Sequence, residues 1–81
     1  MALASDAIGR RLYEARIKRD LTMDQLADKA GINQSTISKL ERGINEPGAA
    51  NVEKLALALE VDPCWLAYGT GKKPDWLKKG V

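Results

Sequence analysis

The sequence predicts an all-α fold, a compact five-helix domain. Three observations carry that prediction. Apolar residues recur at three- and four-residue spacing in five separate stretches, which is the period of a helix with one buried face. Those stretches are bounded by helix punctuation: Ser5-Asp6, Thr22, Gly31, Asn33, Asp62-Pro63 and Gly69. The last two helical stretches have no two-residue alternation and no hairpin turn, so a strand pair is not the better reading there.

Ser5 and Asp6 are candidate caps for a first helix running to about Arg19, with Ile8, Leu12 and Ala15 on its apolar face and Tyr13 and Ile17 flanking it. Arg10, Arg11, Lys18 and Arg19 are expected outside. Thr22 is placed to cap the second helix, with Asp24 near the positive end of its dipole. Met23, Leu26, Ala27 and Ala30 form its apolar side, and Gly31 supplies the left-handed residue that ends it. Asn33 is expected to cap a third helix, about Gln34 to Arg42, with Ile37 and Leu40 inward. The segment INEPG at Ile44 to Gly48 reads as a loop. A fourth helix spans about Ala50 to Leu59, with Val52, Leu55, Ala56 and Leu59 on the core side and Leu57 and Ala58 widening the stripe. Asp62-Pro63 opens a fifth helix that ends at Gly69, because Asp caps well and Pro is preorganised for the first helical position. Trp65 is expected in the core, and Leu66 and Tyr68 toward a partner subunit or solvent.

The third helix carries the functional argument. Gln34, Ser35, Ser38, Lys39 and Arg42 share its outer face, and short polar chains at the start of a helix can hydrogen-bond base edges in a DNA major groove. Taken alone, the same face also fits an ordinary solvated surface, since helix pairs around a glycine are common.

The stretch TMDQLADKAGINQSTISKLERG, Thr22 to Gly43, decides between them. It resembles the helix-turn-helix of the lambda-repressor-like, or Cro/C1-type, family of phage repressors and Cro proteins. The resemblance spans about Ile8 to Gly69 and rests on Ala27, Gly31, Ile37, the run ISKLERG and the later DPCWLAYG. It implies base contacts from Gln34, Ser35, Ser38 and Lys39. Contacts to the DNA backbone are expected from Thr22, Thr36, Arg42, Asn45, Arg10 and Arg19. It also implies an internal ion pair between Arg16 and Glu41. One departure stands out: many members carry a Gln where this chain has Met23, touching a phosphate and steadying the first recognition Gln, and Met23 is expected to do neither.

Composition narrows the classes further. The 81 residues make one domain, divided into a helix-turn-helix domain at 1–69 and a basic tail at 70–81. With no histidine and a single cysteine, the commonest general base and the usual metal spacings are missing, so neither an enzyme nor a metal or other cofactor is expected. Cys64 reads as a small packed hydrophobe. No apolar run suits a membrane span and the N-terminus lacks a signal-peptide core, so a cytoplasmic location is expected. Residues 1–43 hold eight Lys and Arg against six Asp and Glu, residues 44–71 one against four, and residues 72–81 four against one. The basic groups therefore lie in the reading half and the tail, and the acidic middle is expected to face away from phosphates.

The partners expected are a double-stranded DNA operator, palindromic, and a second copy of the chain, with no membrane and no small-molecule ligand. The homodimer interface is assigned to Leu66, Tyr68, Trp76 and Leu77, although Trp76-Leu77 can instead fold back on the core. The function expected is that of a repressor or Cro-like regulator. The alternatives are an antitoxin that autoregulates its own promoter and a protein-interaction module that kept the fold without DNA binding.

Overall fold

The computed structural model describes the backbone of residues 3–44 and 47–76, and side chains from Ile8 onward within those spans. Among the described residues there are five α-helices and no strand: α1 (Leu3–Lys18), α2 (Met23–Ala30), α3 (Gln34–Glu41), α4 (Ala49–Leu59) and α5 (Pro63–Tyr68). The first helix begins at Leu3, ahead of the expected caps Ser5 and Asp6, which fall inside it. Asn45 and Leu77, assigned above to DNA and to the dimer, lie outside the described residues.

The core is built where α1 packs on α3 and α5, α2 on α3 and α4, and α4 on α5. Leu12, Leu26, Ile37, Leu40, Leu55, Leu59 and Leu66 are its fully buried large side chains. Burying each contributes about 1.5–3 kcal/mol. The apolar faces read from periodicity hold for Ile8, Leu12 and Ala15 on α1 and for Val52, Leu55, Ala56 and Leu59 on α4.

Several expectations need correction. Leu57 is 82 % exposed, on the opposite side of α4 from Leu55 and Leu59, so only Ala58 widens that stripe. Leu66 is 1 % exposed, enclosed by its own chain, and offers no surface to a partner. Cys64 is exposed, not packed. It occupies the first turn of a short helix whose inward positions are taken by Trp65, Leu66 and Ala67. Trp76 turns back on its own chain and meets Trp65 edge to face, with ring centroids 5.7 Å apart, the folded-back alternative of the two expected for it; its ring is half-buried against the core.

Two arginines expected outside are used within the fold. Arg11 donates from Nε to the Leu66 carbonyl at 2.9 Å and from Nη2 to that of Ala67 at 3.0 Å. Arg19 donates from Nε to the Leu59 carbonyl at 2.8 Å, and its Nη2 lies 3.7 Å from Glu60 Oε1. Each places a cation on carbonyls that the last turn of a helix leaves without a partner. Arg19 is thereby engaged at the end of α4, with its side chain still 37 % exposed.

Candidate nucleic-acid interface

The interface is built from α2, a three-residue turn and α3. Thr22 begins α2 with a reciprocal cap: its hydroxyl accepts from the Gln25 N–H at 3.0 Å, and Gln25 Oε1 accepts from the Thr22 N–H at 2.9 Å. Thr22 is the cap expected from the sequence; Gln25 was not among the expected cap residues, and its signal is a polar amide three residues after a threonine. Gly31, at φ +74°, ends the helix and donates to the Ala27 carbonyl at 2.8 Å. Asn33 does hold the N-cap position of α3, but its side chain makes no cap bond; only its carbonyl takes part, accepting from Thr36 and Ile37. At the far end Gly43, also left-handed, lets the Ile44 N–H reach back to Lys39 O at 3.0 Å.

With Ile37 and Leu40 in the core, α3 turns Gln34, Ser35 and Lys39 fully outward and leaves Thr36 and Ser38 half-exposed. Arg42, exposed just past the helix, makes a long contact from Nε to the Ser38 carbonyl at 3.4 Å. Thr36 also borders a polar cleft with Asp28, Asn33 and Asn51. Asn51 escaped the sequence reading; its signal was a lone amide in the otherwise apolar first turn of α4. Arg10 is exposed on α1.

The angle of α3 is set from below. Arg16 Nε donates to Glu41 Oε2 at 2.6 Å and Nη2 to Oε1 at 3.1 Å, a two-pronged pair with side chains only 10 % and 5 % exposed. A third donor, Nη1, reaches the Leu21 carbonyl at 2.9 Å, and the Tyr13 ring lies 5.4 Å from the guanidinium carbon. The hydrogen bonds that Arg16 donates to Glu41 raise the Arg16 pKa against the opposing effect of burial. The only acidic residue of α3 is therefore held under the helix, away from its outward polar face. Beside this pair α1 crosses α3 closely: a Cβ added at Gly9 would stand 2.5 Å from Leu40 O and 2.9 Å from Glu41 O.

Met23 differs from its expected role. Gln34 Nε2 donates to Met23 Sδ at 3.4 Å, so the methionine does touch the amide it was expected to leave alone. A thioether sulfur is a weak acceptor, but it is an acceptor.

Comparison with known proteins agrees with this geometry. A family model described as helix-turn-helix matches residues 12–66, which takes in all of α2 and α3. The chain belongs to this helix-turn-helix family. It is 39 % identical over 66 residues to the HTH-type transcriptional regulator PrtR of Pseudomonas aeruginosa, covering 82 % of this chain and 25 % of that protein. It is 36 % identical over 69 residues to the HTH-type transcriptional repressor RghR of Bacillus subtilis, covering 82 % of this chain and 50 % of the other. The chain spans between a quarter and a half of the length of these relatives. Among solved structures, the restriction-modification controller protein C.AhdI from Aeromonas hydrophila superposes with a TM-score of 0.74 at 34 % identity, over 76 % of this chain and 94 % of that one. The P22 c2 repressor, solved with a synthetic operator, superposes with a TM-score of 0.74 at 30 % identity, over 78 % and 96 %. The all-α, lambda-repressor-like class expected from Ala27, Gly31 and Ile37 is thus the class of this family member. No described helix is long and apolar enough to cross a membrane.

Proposed function

We propose that this chain is a sequence-specific DNA-binding transcriptional regulator, a repressor or Cro-like protein, that binds a palindromic operator as a homodimer. Each subunit lays α3 in a major groove, with half-sites about one helical turn apart. One observation carries the reading: α3 turns out a face of Gln34, Ser35, Ser38 and Lys39, while its single carboxylate, Glu41, is neutralised beneath it by Arg16. Those four residues read bases. Thr22, Thr36, Arg42 and Arg10 lie beside phosphates, as does Asn45 by its likeness to the family loop; Arg19 is withdrawn from that set. The P22 c2 repressor, solved on operator DNA, supports the same mode of use.

For the dimer, Tyr68 remains the apolar contact on offer from the C-terminal region, 75 % exposed and bordering a shallow apolar groove with Ile8, Val52, Pro63 and Ala67.

Selection of duplexes from a random pool is the test, followed by titration of single variants against the enriched duplex and a scrambled one at fixed salt. Gln34→Ala and Lys39→Ala should each lose about 1–3 kcal/mol on the enriched duplex and little on the scrambled one. Arg42→Ala should weaken both alike. Equal losses on both duplexes for the first two variants refute base reading by α3. Sedimentation of Tyr68→Ser tests the dimer: an association as tight as that of the parent protein removes Tyr68 from the interface.

A further inference from the structure

We propose that the cleft between the end of α4 and residues 72–76 is a binding site for a small organic acid, an anionic group carried on a flat apolar body. None of its lining residues belongs to the outward face of α3, so the site does not depend on how that face is used.

The cleft holds about 460 Å³, within the range of about 300–1,000 Å³ typical of small-molecule pockets. One wall is the end of α4, where Arg19 donates to the Leu59 carbonyl. The other is the returning chain, fastened twice: the Lys72 N–H donates to Asp62 Oδ2 at 3.3 Å, and the Trp76 ring meets Trp65 edge to face. Arg19, Lys72 and Lys73 bring three positive charges to the lining, against the carboxylates of Glu60 and Asp75. Neither carboxylate neutralises them firmly. Glu60 Oε1 lies 3.7 Å from Arg19 Nη2, with side chains 66 % and 37 % exposed, and a loose pair of that kind contributes little. Asp75 is exposed, where water and salt screen it. A bound acid can therefore replace Glu60 beside Arg19 at small cost.

Trp76 decides the rest of the ligand's chemistry. With Pro74 it gives the cleft an apolar surface, while its indole Nε1 is buried with no hydrogen-bond partner among the described residues. An indole N–H can only donate, and a buried donor left unpaired is costly. An acid oxygen in the cleft supplies the acceptor, and a flat body covers the indole and Pro74. A bare inorganic ion would leave that surface wet.

Naphthoate is the probe, with naphthamide as its neutral counterpart and inorganic phosphate as a bare anion. Each is titrated into the full chain without DNA, followed by calorimetry and by the Trp76 indole N–H signal in NMR. Naphthoate should shift that signal saturably and bind about ten-fold more tightly than either comparison compound. Lys72→Gln and Lys73→Gln should each weaken it about two- to five-fold, the scale of one exposed charge. Trp76→Phe, which keeps a ring and loses the N–H, should weaken it about ten-fold. The lysine variants leave the backbone bond of Lys72 to Asp62 in place, so they test the site however the Trp76 variant folds. Lys54→Gln, which removes a cation exposed on α4 outside the lining, should change nothing. A Trp76 signal that stays still at millimolar naphthoate overturns the proposal. So does equally tight binding of naphthamide, which marks an apolar crevice, or of phosphate, which marks a bare anion site. An equal loss in Lys54→Gln overturns it as well, because the probe then answers to the general positive field.

Discussion

Removing Glu41 is the sharpest test of how α3 is held. In Glu41→Ala the Arg16 guanidinium keeps its bond to the Leu21 carbonyl and its place over Tyr13, but it loses both carboxylate oxygens. Breaking a buried pair from one side costs about 3–5 kcal/mol, and because both side chains retain slight exposure the lower end applies, about 3 kcal/mol. A domain of this size has roughly 4–12 kcal/mol of total stability, so the loss is a large share of it. At about 4–8 °C per kcal/mol, thermal unfolding followed by far-UV circular dichroism should shift down by about 12–24 °C. The double variant Arg16→Met with Glu41→Leu should lose less than Glu41→Ala alone, because no charge is then left buried. A fall smaller than about 4 °C for Glu41→Ala, equivalent to about 1 kcal/mol, would refute the argument that this pair is buried and structural.

Other perturbations should follow the same physics. Gly9→Ala would ordinarily favour a helix, but its new Cβ meets backbone oxygens of α3, so overpacking of about 1–3 kcal/mol should win and lower the melting temperature. A raised melting temperature would show that α1 and α3 separate easily. Trp76→Ala should cost about 1–2 kcal/mol in thermal unfolding through loss of the edge-to-face contact with Trp65, whereas Trp76→Phe, which keeps a ring, should cost less. Asp62 accepts from the Cys64 N–H at 2.7 Å and from the Lys72 N–H at 3.3 Å, and these bonds, Cys64's first, lower its pKa. Because the folded value is the depressed one, its contribution is complete above the ordinary carboxylate value of about 3.9 and is lost as pH falls below it through the folded pKa. Tryptophan emission should therefore report a loosening of α5 and residues 70–76 in acid that Asp62→Ala shows already at neutral pH; parallel acid titrations of the two proteins would count against it.

What the sequence made legible was local. Thr22, Gly31, Asp62-Pro63 and Gly69 declare themselves because a cap or a left-handed turn depends on a few adjacent residues, and their dihedral angles and hydrogen bonds are as those residue types require. The outward set on α3 was legible for the same reason, since Ile37 and Leu40 fix which way the helix rolls. What stayed hidden depends on distant packing. Arg11 and Arg19 reach carbonyls 55 and 40 residues away, and no periodicity in α1 distinguishes them from solvated cations. Counting Lys and Arg along residues 1–43 therefore overstates the side chains free to reach phosphates: of eight there, Arg11, Arg16 and Arg19 already make hydrogen bonds within the fold. Leu66 and Leu57 were misjudged because a helix's stripe shows which residues are apolar, not which neighbours arrive to cover them. Gly9 gave only the weak hint of a glycine in mid-helix.

Arg11 and Arg16 of α1, with Arg19 just past its end, fasten three different helices at their trailing ends: Arg11 holds α5, Arg16 holds α3 and Arg19 holds α4. The first helix is in this sense a common strut, and none of those ends can fray without breaking a bond to it. Opening should then be nearly all-or-none, with the slowest amides of α3, α4 and α5 sharing one free energy of exchange in place of a graded series. A small domain fastened in this way presents its third helix at one fixed tilt, and whatever it docks against must do the bending.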